Sequence, residues 1–484
     1  MIKNFKVVYV GVCLLLVLSV IPTVSAYSTV FCGSLGVVYV DDDFNESTSG
    51  WGVTSFKTIQ NAVDTVSDST QILVYEGSYT PFIIQDKSDV ILAPADNSIP
   101  LVTGNQQVKD ITVPGLIRCI VFVTNSENID ISGFNFQGEN LDGRSYAVLY
   151  NDSSGSINKC TVASNQRANM YNTNIRAQIN TTLTVDSCLI EQYGRIGVYC
   201  RTGSTLFVYN STLIGQKYSD ADGDYVNYGI EIENLGYASY ATIAYNELYN
   251  HHHTGAATWS SAAIIVDAWR YYEVTESMCT ATIQYNDIHD NMFGVQIIPN
   301  ENIHVNRNKI YDNIKYGAVS DPYWDGSEYV DVTLDARFNW WGDETGPLHE
   351  SENPNGEGDK ITDYVDFIPW LEGVVPQLTL IKPEPGFLYY NFQDAIELKF
   401  PFITTLILGD ITIEVEAKEG LYGIEKVEFY IDDDLTSTDY TPPYSWRWDE
   451  KTPLLQYTIK VVGYDSQGTT SSAELKVWKL KFLQ

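Results

Sequence analysis

The chain has 484 residues, of which 44 % are hydrophobic and 19 % charged, so it is typical of a folded protein of two or three domains rather than of a disordered chain. Its 29 basic and 62 acidic residues give a net charge of −33, which excludes nucleic acid as a general partner and disfavours anionic membrane surfaces. Long stretches with helical periodicity are nearly absent, which disfavours a helix-rich fold.

The first 26 residues have the pattern of a secretory signal. Lys3 and Lys6 give a positive start, an apolar stretch follows, and Val24-Ser25-Ala26 is a small-residue cleavage site. The alternative is an uncleaved membrane anchor. We predict a secreted, extracellular protein, free or associated with the cell surface, and not an integral membrane protein after signal cleavage.

A short amphipathic helix is predicted near the start of the mature chain. Phe56, Ile59, Ala62, Val63 and Val66 have helical spacing. The strands that follow, at 72–75 and 90–92, begin a stack whose open end needs a cover, and the helix is predicted to supply it.

One pattern recurs eight times: an apolar residue, two residues, a central residue that is usually small or Asn, one residue, and a second apolar residue. The central residues are 22 to 40 positions apart, and the shortest spacings suit one turn of a parallel β-solenoid with three short strands. The longer turns carry insertions. The central residues are Phe134, Cys160, Cys188, Ser211, Asn246, Asn286, Asn308 and Asn339.

Equivalent residues of stacked turns lie about 4.8 Å apart, so each central residue is expected to contact its counterparts in the turns above and below. Asn246, Asn286, Asn308 and Asn339 are predicted to form an internal amide ladder. Cys160 and Cys188 fall at the same position of neighbouring turns, and either a buried thiol pair or a disulfide fits there; we favour the thiols.

A second strand follows in most turns, and its alternation places one set of residues inside and the other set toward solvent. The predicted interior residues are Val198, Cys200, Ile230, Ile232, Ile264, Val266, Val295 and Ile297.

The run at 38–42, the helix at 56–63 and the segment Val74-Tyr75-Glu76-Gly77-Ser78-Tyr79 resemble the start of exported right-handed parallel β-helix proteins of the pectate-lyase-like superfamily. Asn339-Trp340-Trp341-Gly342 and the segment at 353–359 are similar to their closing turn. The resemblance covers residues 38 to 371 and leans toward archaeal surface proteins. The resemblance implies the fold but not the function, because this fold hosts lyases, hydrolases, adhesins and structural proteins.

After prolines at 376, 383 and 385, alternating strands separated by polar turns predict a β-sandwich. These strands resemble the Ig-like modules of microbial surface proteins, either as a spacer or as a binding module. We divide the chain into a signal peptide (1–26), a β-helix domain (27–371), a linker or first-strand region (372–405) and an Ig-like sandwich (406–484).

The two longest turns are consecutive and span 211–286, and insertions gathered at one place on a solenoid usually build a site. Arg201, Glu233 and Asp267 are predicted at equivalent outward positions of three consecutive turns. A neighbouring column is predicted to hold Gln178, Tyr199, Glu231 and Gln296. In pectate-lyase-like enzymes this sheet often carries the active site; the alternative is ordinary solvated charge.

The first insertion contains Asp220, Asp222 and Asp224, whose carboxylates can converge on Ca²⁺. The loop lacks the glycine and flanking helices of an EF-hand, so the alternative is a solvated acidic loop. His251-His252-His253 reads as surface rather than as a metal site, because adjacent histidines point in different directions. Trp269, Arg270 and Tyr271 are candidate sugar-binding residues.

Two enzyme mechanisms are considered. The resemblance implies a lyase that uses Ca²⁺ with Arg201 or Arg270 as base, whereas a hydrolase needs paired carboxylates, for which Glu231, Glu233 and Asp267 are candidates. The polygalacturonase and pectate-lyase signature motifs are missing. We therefore favour a secreted or surface β-helix protein that binds glycans or the cell envelope, with a polysaccharide lyase or glycoside hydrolase as the alternative.

Overall fold

The computed structural model describes residues 36–109, 115–138, 144–164, 172–218, 226–234, 237–253, 261–266, 279–324, 327–391, 396–399 and 404–481. These residues belong to one unit, Gly36–Gln484. The predicted fold is confirmed: a parallel β-helix is followed by an Ig-like sandwich. Within the described residues, none of the helices is long and apolar enough to cross a bilayer.

Three parallel sheets form the solenoid, and most turns contribute one strand to each sheet. The first sheet has 13 strands. In sheet order they are Ser55–Phe56, Gly36–Val40, Thr70–Val74, Ser88–Pro94, Glu127–Ser132, Ser154–Asn158, Thr182–Asp186, Thr205–Tyr209, Tyr240–Ala244, Thr280–Gln284, Ile303–Asn306, Leu334–Asp335 and Val365–Asp366.

The second sheet has nine short strands, and the third has ten longer ones, one of them antiparallel. The second comprises Ser78–Tyr79, Leu101–Thr103, Asn135–Gln137, Thr161–Ala163, Leu189–Glu191, Thr212–Ile214, Glu247–Tyr249, Asp287–His289 and Lys309–Tyr311. The third comprises Phe82–Gln85, Leu116–Thr124, Ser145–Asn151, Thr173–Gln178, Ile196–Arg201, Tyr228–Glu233, Ala262–Val266, Phe293–Ile297 and Tyr316–Ser320, with Gln106–Lys109 antiparallel to Leu116–Thr124.

Three short strand pairs lie outside these sheets. They are Lys217–Tyr218 with His252–His253, Tyr323–Trp324 with Tyr329–Val330, and Pro347–Leu348 with Gly358–Lys360.

The predicted capping helix is confirmed as Ile59–Thr65. The Thr58 hydroxyl accepts a hydrogen bond from the backbone N–H of Asn61 at 3.2 Å, which caps the first turn of the helix. Ile59, Ala62 and Val63 are buried against the first turns, so the helix covers the apolar end of the stack.

Alternation along the strands fills the interior as predicted. All eight predicted interior residues of the third sheet are at most 1 % exposed. A fully buried Val or Ile contributes about 1.5–3 kcal/mol, so this column is a main source of solenoid stability.

The predicted asparagine ladder is also confirmed. The backbone N–H and the side-chain amide of Asn246 both donate to Oδ1 of Asn286 at 3.0 Å. Asn286 donates in the same way to Asn308, and Asn308 to Asn339. Cys160 and Cys188 are free, buried thiols, as favoured above.

A second internal ladder follows the second sheet. The backbone N–H of His251 donates to Oδ1 of Asn291 at 3.1 Å, and Asn291 donates to Asn313, whose amide donates to Asp359 at 2.7 Å. The prediction that His251-His252-His253 lies at the surface is wrong for His251 and His252, which are 0 % and 8 % exposed. His251 is fully buried between Tyr193 and Asn291, and burial lowers its pKa to about 3.

The sandwich has a three-stranded sheet and a seven-stranded sheet. The first contains Gln377–Lys382, Ile411–Lys418 and Ser445–Trp448. The second contains Ile396–Lys399, Phe387–Asn391, Thr405–Gly409, Thr470–Lys481, Thr452–Tyr464, Lys426–Ile431 and Asp434–Asp439. The first sandwich strand therefore lies inside the region assigned above as linker or first strand.

Candidate functional site

The outward side of the third sheet carries two columns of polar residues in neighbouring turns. Arg176, Tyr199 and Glu231 are partners in one column. The other column passes through Asn151, Gln178, Arg201 and Glu233. We call these seven residues the polar face.

The sequence placed most of these residues correctly. Tyr199 and Glu231 share one column, and Arg201 and Glu233 share the other, as predicted. The position of Gln178 was wrong, because it pairs with Arg201 instead of Tyr199. The interior residues Ile175 and Ala177 set this register, which leaves Arg176 beside Tyr199.

The prediction that outward residues of this sheet face solvent is wrong. Glu231 is 2 % exposed, Tyr199 7 % and Gln178 0 %. An outer apolar cluster borders the polar face, so this sheet is packed on both sides. The cluster comprises Ile196, Tyr199, Val226, Tyr228, Ala262 and Ile265, with Phe293 packed against it.

Arg176 lies at the centre of the polar face and is 4 % exposed. Its Nε donates to Oε1 of Gln178 at 2.6 Å, and its Nη1 donates to the hydroxyl of Tyr146 at 2.6 Å. The guanidinium also lies 4.5 Å from the ring centroid of Tyr146 and 5.1 Å from that of Tyr199. Both aromatic faces therefore stabilise its positive charge.

No carboxylate of the described residues forms an ion pair with Arg176, and its Nη2 has no hydrogen-bond partner among them. An arginine cannot lose its proton inside a protein, so the positive charge persists after burial. Burying a charge without an opposite charge costs several kcal/mol. Among the described residues, the site is thus organised around a cation that lacks an anion.

Glu233 lies two turns from Arg176 and has its own partners. The hydroxyl of Tyr199 donates to Oε2 of Glu233. Nε of Arg201 lies 4.0 Å from the same oxygen, with 17 % of the Arg201 side chain exposed. Tyr199 therefore connects the two ends of the face, since its ring contacts Arg176 and its hydroxyl contacts Glu233.

The face continues toward later turns. Nε2 of Gln296 donates to Oδ2 of Asp321 at 2.6 Å, and the guanidinium of Arg195 lies 5.6 Å from the ring centroid of Tyr228. Burial raises the pKa of Tyr228, so this phenol stays neutral and can act as a hydrogen-bond donor at neutral pH.

Several predicted site residues lie outside the described residues and stay predictions. They are Asp267, Trp269, Arg270 and Tyr271, and the calcium candidates Asp220, Asp222 and Asp224.

A different acidic group lies at the start of the solenoid. Carboxylate oxygens of Asp41, Asp42 and Asp43 approach within 4.8 Å of one another. The Asp41 carboxylate accepts the backbone N–H of Asp43, and that of Asp42 accepts the N–H of Ser78, both at 2.9 Å. These backbone contacts account for the arrangement.

Sequence reasoning missed Arg176 and Asn151. A signal for Arg176 was present: alternation outward from Ile175 and Ala177 puts Arg176 and Gln178 on the same side of one strand. Gln178 is the one residue of that strand among the predicted site residues.

A family model described as a bacterial Ig domain matches residues 397–461. No curated protein matches the chain. Among solved structures, a rhamnogalacturonan lyase is similar at 12 % identity and a TM-score of 0.37, with 68 % of this chain and 85 % of that chain covered. The pectate lyase Pel9A is similar at 10 % identity and a TM-score of 0.35, covering 58 % and 81 %.

The fibronectin(III)-like modules of Clostridium thermocellum CbhA are similar at 18 % identity and a TM-score of 0.17, covering 24 % of this chain. The chain spans 50 % of the length of those modules. All three likenesses concern the fold alone.

Proposed function

We propose that this protein binds an acidic glycan on the polar face, outside the cell. The observation that carries the proposal is the buried guanidinium of Arg176, which has no carboxylate partner among the described residues. A ligand carboxylate or sulfate beside Nη2 would supply the missing charge, and arginine binds such groups with strong, directional hydrogen bonds.

The neighbours of Arg176 suit a sugar. Gln178 and Asn151 form an amide pair at 2.9 Å, and side-chain amides bind hydroxyl groups as both donors and acceptors. Tyr146 and Tyr199 add aromatic surface beside them, a combination common in ligand sites. Because the chain has a net charge of −33, an acidic ligand needs a local positive charge of this kind to bind.

Entry requires a local movement, because Arg176 is 4 % exposed. We therefore expect association to be slower than for an open, electrostatically steered site.

The alternative is a glycan-cleaving enzyme, and one observation favours it. Glu231 and Glu233 alternate on one strand and point to the same side, so their backbones are about 6.6 Å apart. Side chains that start this far apart on one side of a strand can bring their carboxyl groups to the roughly 5–9.5 Å spacing of glycoside hydrolases. A lyase would instead draw on Arg201 and on Ca²⁺ at Asp220, Asp222 and Asp224, which stays a proposal.

The test measures binding of the mature chain to polygalacturonate and to its fully methyl-esterified, neutral form. The wild type is expected to prefer the acidic polymer, and Arg176→Gln to weaken that binding about 10- to 100-fold, as for a charged hydrogen bond. Arg337→Gln is the matched control, because Arg337 lies in the turn after strand Leu334–Asp335 and its side chain is 45 % exposed.

Equal affinity for both polymers, or an unchanged affinity in Arg176→Gln, would reject the proposal. Unfolding of Arg176→Gln is measured in parallel; removal of a buried unpaired charge should leave stability unchanged or higher. Release of reducing or unsaturated ends, with and without chelator, separates the enzyme alternative from binding.

A further inference from the structure

A second surface lies on the first sheet and consists of hydroxyl and aromatic side chains. Four adjacent strands, from Thr182–Asp186 to Thr280–Gln284, alternate between buried and outward residues, apart from Ala244, which is buried at an outward position. Outward threonines are Thr182, Thr184, Thr205, Thr242, Thr280 and Thr282. Together with Phe207 and Tyr240 they form what we call the neutral face.

The residues of the neutral face are in register. Thr205, Tyr240 and Thr280 are partners in one row, and Phe207, Thr242 and Thr282 are partners in the next. Adjacent strands lie about 4.8 Å apart and alternate residues about 6.6 Å apart along a strand, so hydroxyls and rings form a flat lattice.

None of the eight residues carries a charge, although the chain as a whole carries −33. The nearest strand carboxylate, Asp186, accepts the side-chain amide of Asn210 at 2.8 Å at one edge. An uncharged area of this kind on a strongly acidic molecule indicates a partner that is itself uncharged.

Aromatic rings protrude from this face. Tyr240 is 50 % exposed, and Tyr237, which precedes the same strand, is 69 % exposed. Phe207 is partly exposed in the neighbouring strand. Exposed aromatic groups gathered on one flat surface mark an interaction site.

We propose that the neutral face binds a neutral, extended polysaccharide. Threonine and tyrosine hydroxyls can both donate to and accept from sugar hydroxyls, while Phe207 and Tyr240 offer apolar surface to the sugar C–H groups. A second copy of the chain would bring its own net charge of −33 to the contact, and a basic protein would be drawn to the acidic surfaces instead.

This site is independent of the proposed function. The polar face lies on the third sheet and relies on a buried cation, whereas the neutral face lies on the first sheet and carries no charge. Binding to the neutral face is expected to be insensitive to salt, whereas binding through Arg176 should weaken as salt increases.

The experiment is co-sedimentation of the mature chain with microcrystalline cellulose, and retardation in gels that contain soluble mannan. The wild type is expected to bind at least one of these probes at low and at high salt. Phe207→Ala/Tyr240→Ala is expected to weaken binding at least about tenfold. Thr242→Asp/Thr282→Asp should abolish binding, and Thr242→Ser/Thr282→Ser should retain it.

Tyr440→Ala is the matched control, since it removes a 63 % exposed phenol from the sandwich. Circular dichroism verifies that each variant is folded. Absence of binding to both probes, or full binding by Phe207→Ala/Tyr240→Ala, would overturn the proposal. So would a dimer of the wild type that Thr242→Asp/Thr282→Asp dissociates, because the occupant would then be a second copy. Arg176→Gln should bind both probes normally, which separates failure here from failure of the acidic-glycan proposal.

Discussion

Tyr422 of the sandwich stacks on Tyr285 of the solenoid, with ring centroids 5.3 Å apart and ring planes 20° apart. Tyr285 in turn stacks on Tyr245 at 5.1 Å. Nearby, Nη2 of Arg307 lies 2.8 Å from Oε2 of Glu419. The sandwich is therefore attached through a defined contact in addition to its covalent connection.

The solenoid residues of this contact occupy costly backbone positions. Tyr245, Tyr285 and Arg307 have φ angles of 61°, 58° and 56°, in the left-handed region that disfavours large side chains. Earlier turns use Gly133, Lys159, Ser187 and Asn210 at the equivalent position. Stacking of Tyr285 on Tyr422 offsets part of the backbone cost at Tyr285.

We predict that Tyr285→Ala and Tyr422→Ala are coupled by about 0.5–1.5 kcal/mol in a double-mutant cycle on the unfolding of the sandwich. Tyr422→Phe keeps the ring and should retain most of this coupling. The measurement is calorimetric unfolding of the four variants. Strictly additive effects would mean that the stacked rings do not couple the two domains.

Replacing a rung of the asparagine ladder is expected to be strongly destabilising. Asn286→Ala removes the acceptor of the Asn246 backbone N–H and leaves it buried without that partner. It also removes the amide that donates to the carbonyl of Ile243 at 2.9 Å. We expect a loss of about 2–5 kcal/mol in the free energy of unfolding, measured in urea.

Asn355→Ala is the control for the ladder, because Asn355 is exposed. It should change the free energy of unfolding by less than about 0.5 kcal/mol. A loss of similar size in both variants would contradict a special role for the ladder.

The second ladder, like the first, could be predicted from the sequence. Asn246, Asn286 and Asn308 each have a polar residue five positions later, and this gives His251, Asn291 and Asn313. The interior residues were predictable for the same reason, since alternation and stacking repeat in every turn. Positions that recur in every turn can be predicted, because the same residue type at the same position of the next turn supports the interpretation of the first.

The outer surface of the third sheet was less predictable. Alternation tells which residues point outward, but it does not tell that Tyr199 and Glu231 are covered. Gln178 was placed two residues out of register, because nothing in a single strand fixes its alignment with the next. The burial of these side chains and the register of Gln178 both depend on packing between residues far apart in the sequence. A local sequence pattern carries no information on that packing.

The end of the second ladder titrates near neutral pH. Burial raises the pKa of Asp359 from 3.8 to about 7, against the opposing effect of hydrogen bonds from Asn313. Between these two values the folded protein holds a proton that the unfolded chain has lost. Stability is therefore highest below about pH 4 for this group and falls as the pH rises to about 7, by at most about 1.4 kcal/mol per unit.

Asp359→Asn isolates this effect, because the amide oxygen still accepts from Asn313 but does not titrate. We predict that the difference in unfolding free energy, variant minus wild type, grows as the pH rises from 5 to 7 and then levels off near the pKa of about 7. Denaturant titrations at several pH values measure it. A difference independent of pH would show that Asp359 keeps an ordinary pKa.

The buried thiols are predicted to be inert. Burial raises the pKa of Cys160 and of Cys200 to about 12, and the thiolate is the reactive form. A charged thiol reagent should therefore modify these cysteines in denaturant but not in the native protein. Cys32 lies outside the described residues, so Cys32→Ser removes its contribution from the native signal. Rapid native labelling at Cys160 or Cys200, located by mass spectrometry, would contradict the prediction.

Lys479 is fully buried in the sandwich, on the same side of its strand as Val477. Its ammonium group donates to the carbonyl of Glu450 at 3.0 Å and lies 4.4 Å from the ring centroid of Trp448. Burial lowers the pKa of Lys479 from 10.5 to about 8. Between these values the unfolded chain binds the proton more tightly than the folded one, so stability contributed by this group rises with pH.

Lys479→Met fills a similar volume without a charge and removes this dependence. We predict that, between pH 8 and 10, the wild-type sandwich gains stability relative to Lys479→Met, because the folded lysine becomes neutral above its pKa of about 8. Calorimetry of both proteins over this range measures the difference, in which the ionisation of tyrosines common to both cancels. If the two proteins change in parallel with pH, the cation–π contact with Trp448 and the Glu450 carbonyl keep Lys479 fully charged in the folded state.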